Sequence, residues 1–94
     1  MRLIVALCTV GLLCLAIGAT PVRAADPDFC RDYARSAVEQ TRAAWNNWRC
    51  RNGAQPPRWE MNWRAHFDWC LGAPYEAANR ERHIRHEWLE RCRY

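Results

Sequence analysis

Four cysteines spaced about twenty residues apart constrain the fold of this chain more than any other feature of its sequence. They are Cys30, Cys50, Cys70 and Cys92, and all four lie in the last 70 residues. A domain of this size gains only about 3–5 kcal/mol from a single hydrophobic core, so such domains commonly need covalent cross-links. An even number of cysteines is typical of disulfides formed in an oxidising compartment. We therefore expect one small domain that is held together by two disulfides.

The first 24 residues have the layout of a secretory signal peptide. Met1-Arg2 gives a positive start, residues 3–19 form an uncharged and mainly apolar run, and Val22-Arg23-Ala24 offers a small residue for cleavage. The alternative is a retained membrane anchor, although the run of 17 residues is at the lower limit for one. We expect a signal peptide over 1–24, a domain over 25–94, and export to the periplasm or the medium. Membrane contact is then expected only through an uncleaved signal segment.

The charge of the expected domain is nearly balanced. Residues 25–94 contain 12 arginines, no lysine and 10 acidic residues, which gives a net charge of +2. Such a small excess does not indicate a nucleic-acid partner.

The first part of the domain has the pattern of an amphipathic helix. Apolar residues recur at steps of three and four from Cys30 to Trp48, with charged residues between them. The helix is expected to begin at Asp26-Pro27, since aspartate caps free amide groups and proline suits the first helical position. We expect it to end at Asn52-Gly53.

Two further helices are predicted in the rest of the chain. Prolines in residues 55–57 indicate an extended connector, which is followed by a helix over 58–71. Gly72-Ala73-Pro74 indicates a tight turn into a third helix over 74–91. The expected fold class is therefore all-α, with three antiparallel helices in a small bundle.

Helix geometry selects one disulfide pairing. Cys30 and Cys50 would lie about 30 Å apart on a continuous helix, whereas bonded cysteines need α-carbons within about 7 Å. Short connectors make successive helices antiparallel, which brings Cys70 to the Cys30 end and Cys92 to the Cys50 end. We therefore predict the disulfides Cys30–Cys70 and Cys50–Cys92. Each would close a loop of about 40 residues and contribute roughly 4 kcal/mol in the chain-entropy model.

A second pattern runs along nearly the whole of residues 25–94. Its residues are Cys30, Tyr33-Ala34, Ala37-Val38, Gln40, Cys50, Gly53, Arg58-Trp59, His66, Trp69-Cys70, Glu81, Arg85, Leu89 and Cys92. The pattern resembles a group of small exported bacterial proteins, rich in tryptophan, that have no assigned activity. This resemblance implies export, helices and disulfides, and it implies no catalytic residue.

The histidines are the principal candidates for chemistry. His66 lies among aromatic residues, and we interpret it as a packed side chain, since no nucleophile, base and orienting group occur together. His83, His86 and Glu87 share a helix face and form the alternative of a weak metal site. Solvent exposure of this face is the favoured interpretation. We therefore expect no enzyme activity, no cofactor and no resident metal.

Ion pairing and aromatic packing account for most of the remaining residues. Glu81 and Arg85 are four residues apart in the orientation that favours a partly buried ion pair. The six tryptophans are expected to form most of the core.

An exposed aromatic patch is the alternative for one or two of the tryptophans. The best candidates for a partner-binding patch are Trp48, Arg49, Arg51, Arg58 and Trp59. The function expected from this patch is non-enzymatic binding of an unknown protein or envelope component. The alternatives are metal binding or sensing and inhibition of an envelope enzyme.

Overall fold

The computed structural model describes residues 23–93. Residues 1–22 of the predicted signal segment therefore lie outside the described residues. The described part is all-α, and its helices are α1 (Pro27–Trp45), α2 (Trp48–Arg51), α3 (Trp63–Leu71) and α4 (Tyr75–Cys92). None of these helices has the length and apolar character that crossing a membrane requires.

Helix α1 begins where the sequence predicts. Asp26 has extended backbone angles, and its side chain accepts a hydrogen bond of 2.8 Å from the N–H of Phe29. Pro27 takes the first helical position, where it has no amide hydrogen to leave unpaired. The Tyr75 hydroxyl donates to the same carboxylate at 2.7 Å, so this cap also links the starts of α1 and α4.

The predicted end of the first helix is wrong by several residues. Helix α1 stops at Trp45, and Asn47 adopts an extended conformation before α2. The Asn47 side chain accepts a 2.9 Å bond from the N–H of Arg49 and thereby caps a new turn. Asparagine favours this arrangement because its side chain competes with helical backbone hydrogen bonds. The break gives the bundle a short fourth helix and turns Trp48 toward solvent.

The second predicted helix also starts later than expected. Helix α3 begins at Trp63, where Asn62 supplies the cap by accepting a 3.0 Å bond from the N–H of Arg64. Residues 54–62 form a non-helical connector that includes a cis Pro56–Pro57 peptide bond. Proline removes amide donors and clashes with a preceding helical turn, which explains why this segment is not helical. Helix α4 agrees with the third predicted helix to within one residue at each end.

Both predicted disulfides are present. Cys30 bonds to Cys70 with α-carbons 5.5 Å apart, and Cys50 bonds to Cys92 with α-carbons 5.2 Å apart. Helix α1 packs against both α3 and α4, which makes it the central element of the bundle. One disulfide therefore closes each end.

The core differs from the expected tryptophan core. Of the six tryptophans only Trp59 is buried, and the other buried apolar residues are mainly alanines and the three cysteines Cys30, Cys50 and Cys70. The fourth cysteine of the domain, Cys92, is half-buried. Small residues allow the helices to approach closely, so the large indoles are left at the periphery. Gly53, just before the connector, shows the same close packing, because a Cβ atom there would lie 2.5 Å from Cζ2 of Trp88.

Candidate binding sites

Helix α2 carries an exposed tryptophan with an arginine beside it. Trp48 is 72% exposed, and Cζ of Arg49 lies 5.0 Å from the centre of its ring, within cation–π range. Nη1 of Arg49 donates to the carbonyl of Arg93 at 3.4 Å. Nε of Arg51 donates to the carbonyl of Trp45 at 2.8 Å. We call Trp48, Arg49 and Arg51 the aromatic–arginine surface.

The positive charges of this surface are not neutralised within residues 23–93. Arg49 and Arg51 donate to backbone carbonyls, and neither forms an ion pair with an acidic side chain of this part of the chain. Arg93 at the end of α4 differs, since its Nη1 lies 3.6 Å from Oε2 of Glu90. The aromatic–arginine surface therefore combines an exposed indole with two cations that can meet an acidic group.

Two residues that the sequence assigned to this patch have other roles. Trp59 is only 4% exposed, and its ring centre lies 5.1 Å from that of Trp88. It is a core residue, and its inclusion in an exposed patch was wrong. Arg58 binds both oxygens of Glu81 at 2.7 and 3.1 Å, so its charge is already paired. This bidentate pair also lowers the pKa of Glu81 and raises that of Arg58.

The alternative metal site is not assembled in the described part of the chain. Nε2 of His83 lies 3.8 Å from Oε2 of Glu87, while Oε1 of Glu87 lies 3.8 Å from Nη1 of Arg91. His86 is exposed and adds no ligand to this pair. Within residues 23–93, no three His, Cys, Asp or Glu side chains are grouped so that they could hold a metal ion.

A cavity of about 490 Å³ lies between α1, α3, α4 and the connector, and the Arg58–Glu81 pair forms part of its lining. Its volume is within the range of roughly 300–1,000 Å³ that is usual for small-molecule sites. The lining residues are Tyr33, Gln55, Pro57, Arg58, Glu60, Ala65, His66, Trp69, Glu81 and Arg85.

Arg85 is the most unusual residue of the cavity, because it is charged and only 1% exposed. Its Nε donates to Oε1 of Gln40 at 2.7 Å, and its Nη1 donates to the carbonyl of Arg58 at 3.3 Å. The predicted pair with Glu81 is present but long, at 3.9 Å. Nη2 of Arg85 is buried and has no hydrogen-bond partner among the described residues.

Tyr33, Trp69 and His66 form an aromatic part of the lining. The ring centres of Tyr33 and Trp69 lie 5.6 Å apart, and Cζ of Arg85 lies 5.1 Å from the centre of the Tyr33 ring. His66 is the packed side chain that the sequence predicted, with Nε2 2.7 Å from the carbonyl of Glu60. Burial lowers the pKa of His66 and raises the pKa of Tyr33, so both are neutral at pH 7.

The sequence predicted a partly buried ion pair of Arg85 with Glu81 but did not predict the cavity. Gln40 and Arg85 are 45 residues apart in sequence, and their contact follows from the packing of α1 against α4. The predicted burial of Arg85 is the sequence signal that pointed to this region.

The two sites thus differ in kind, since one is an exposed surface and the other is a partly open cavity. Comparison with protein-family models, with curated proteins and with solved structures found no match to this chain.

Proposed function

We propose that this chain is an exported, non-enzymatic binding module that attaches to an acidic surface of an envelope protein through its aromatic–arginine surface. The observation that carries the proposal is the 72% exposure of Trp48 beside two arginines without carboxylate partners in residues 23–93. Tryptophan and arginine are the residue types most enriched among those that dominate protein–protein binding energy.

The backbone beneath this surface is held in place before any partner arrives. Cys50 lies in α2 itself, is fully buried, and is bonded to Cys92 at the end of α4. Asn47 caps the same turn. A partner therefore has little backbone ordering to impose on α2, which reduces the entropic cost of association.

Charge indicates the kind of partner that this surface would accept. Arg49 and Arg51 each use one nitrogen on a backbone carbonyl, which leaves further N–H groups on each guanidinium for carboxylates. Bidentate arginine–carboxylate contacts give both attraction and orientation. An acidic partner surface next to an apolar pocket for the Trp48 indole fits this arrangement best.

The chain offers a matched control for this proposal. Trp63-Arg64 at the start of α3 is a second Trp-Arg pair on a helix. Its indole is stacked on Phe67 with ring centres 4.8 Å apart, so it is partly covered by its own helix. The double variant Trp63→Ala/Arg64→Ala thus removes the same residue types from a different part of the surface.

The test begins with a photo-crosslinking amino acid at exposed Asn52, beside the surface, in the oxidised protein within native envelope. We then expect the purified crosslinked partner to bind Trp48→Ala/Arg49→Ala at least roughly 30-fold more weakly than the unchanged protein. Trp63→Ala/Arg64→Ala is expected to bind normally. Equal affinities for the two double variants, or no crosslinked protein, would contradict the proposal.

A further inference from the structure

Arg85 lines the cavity, and the described residues do not pair all of the hydrogen-bond donors of its buried guanidinium. A buried guanidinium is costly unless its hydrogen-bond donors are paired, and one of the two terminal nitrogens of Arg85 has no partner within residues 23–93. The nearest carboxylate, that of Glu81, lies 3.9 Å from Nη1 and is already held by Arg58. A further anionic group would complete the neutralisation of Arg85.

The other lining residues restrict what that anion can be. Glu60 and Glu81 also line the cavity, so a group with two or more negative charges would be repelled. Oε2 of Glu60 accepts a 3.1 Å bond from the N–H of Asn62, which fixes this carboxylate near the cavity. A single carboxylate is therefore better suited than a phosphate.

The apolar lining indicates the body of the ligand. The rings of Tyr33 and Trp69 are tilted by 36° to each other, and Pro57 and Ala65 add apolar surface. Flat aromatic groups gain from offset or tilted contacts with such rings beyond the area they bury. Trp69 is 45% exposed, whereas Tyr33 is only 1% exposed, so Trp69 lies at the mouth and Tyr33 deeper.

We propose that this cavity binds a small aromatic monocarboxylate, with the carboxylate on Arg85 and the ring against Tyr33 and Trp69. Arg85 is only 1% exposed, so entry of the carboxylate requires the side chains that cover it to shift. His66 contributes a second orienting group. Its Nε2–H donates to the carbonyl of Glu60, so Nδ1 of the neutral ring is left as an acceptor for a ligand N–H.

The proposal is tested by NMR titration of the oxidised protein with benzoate and indole-3-acetate as probes. We expect saturable shifts of the Arg85 Nε–H and Trp69 Nε1–H signals, with indole-3-acetate binding more tightly because it also reaches His66. Benzamide lacks the charge and acetate lacks the ring, so each is expected to bind at least roughly tenfold more weakly. Absence of saturable shifts with both aromatic acids, or equal binding of benzamide, would overturn the proposal.

Variants separate the cavity from the rest of the surface. Arg85→Lys is expected to weaken benzoate at least roughly tenfold, because lysine lacks the planar fork that binds carboxylates. If Arg85→Lys does not fold, Trp69→Ala is tested in its place. Trp69 lies at the mouth of the cavity, and its removal is expected to weaken the binding of both benzoate and indole-3-acetate at least roughly tenfold.

Two controls keep this test independent of the proposed function. Arg80→Gln changes an exposed arginine of the same helix outside the cavity, and benzoate binding is expected to be unchanged. Trp48→Ala/Arg49→Ala is expected to bind benzoate normally, since the aromatic–arginine surface does not line the cavity. Loss of binding in either control would show that the shifts come from general adsorption to arginines and would overturn the proposal.

Discussion

Each end of the bundle is closed by one disulfide, but the aromatic side chains at the two ends differ in how far they are packed. At the Cys30 end, Phe29 and Tyr75 meet edge to face with ring centres 4.8 Å apart, and Phe67 and Leu71 pack against the same cluster. At the Cys50 end, Trp59 is buried and Trp88 packs beside it, but Trp48 is left in solvent.

The arginines of α1 and α2 also differ in their partners. At the Cys30 end, Arg31 pairs with Asp28 and Arg35 pairs with Asp32 along α1. At the Cys50 end, the two arginines of α2 donate to backbone carbonyls. The comparison indicates that a disulfide can hold a four-residue helix in place without aromatic cover, and this leaves the aromatic and cationic side chains of that helix exposed.

Removing each disulfide in turn tests this comparison most strongly. The sequence separations are 40 and 42 residues, so Cys30→Ser/Cys70→Ser and Cys50→Ser/Cys92→Ser are each expected to lose about 4 kcal/mol of unfolding free energy. Because α2 has few other contacts, the second variant is expected to lose binding by the aromatic–arginine surface as well. Urea denaturation measures the loss of unfolding free energy in each variant. A loss below about 1 kcal/mol in either variant would contradict the role of that disulfide.

The next largest difference in stability is expected between substitutions of the buried and the exposed tryptophan at the Cys50 end. Trp59→Ala leaves a cavity beside Trp88 and is expected to cost roughly 3 kcal/mol or more. Trp48→Ala removes an exposed side chain and is expected to change stability by less than about 0.5 kcal/mol. Thermal and urea unfolding of the pair measure the difference. Similar losses in both would show that Trp48 is packed in solution.

A smaller change in stability is expected from the Gln40–Arg85 hydrogen bond, which lies between the two ends of the bundle. Gln40→Leu removes the acceptor for Nε of Arg85 and is expected to cost about 2 kcal/mol, because a buried charged donor is left unpaired. Gln55→Leu changes an exposed glutamine and is the matched control, with an expected change within about 0.5 kcal/mol. If the two substitutions have equal effects on urea unfolding, the Gln40–Arg85 bond does not stabilise the fold.

The smallest effect concerns pH. The pKa of His66 is lowered from 6.5 by burial, so between 6.5 and the folded pKa the unfolded chain binds a proton that the folded chain does not. Stability is therefore expected to be fully present above 6.5 and to fall as the pH drops below this value. Urea midpoints at a series of pH values measure the slope, which His66→Gln should reduce. An unchanged slope in His66→Gln would assign it to another group.

The two disulfides were predictable from the sequence, because the length and antiparallel order of the helices allow only one pairing of the four cysteines. The start of α1 was also predictable, since an Asp-Pro pair acts locally. The end of α1 was not, because Asn47 competes with the helix through a single side-chain bond that periodicity does not register. Among the candidate site residues, Trp48 and Trp59 were equally good candidates for an exposed tryptophan in the sequence. Only Trp59 is buried, because the connector packs it against Trp88. The cavity depends on contacts between three helices and was outside the reach of the sequence pattern.

The order of the cysteines in the two bonds has a consequence for proteolysis. The first cysteine of the domain bonds to the third and the second bonds to the fourth, so the two loops interleave. A single nick anywhere between Cys30 and Cys92 therefore leaves both fragments covalently joined, and a nick between Cys50 and Cys70 leaves them joined twice. A protease that cuts once between Cys30 and Cys92 therefore does not release a piece of the domain.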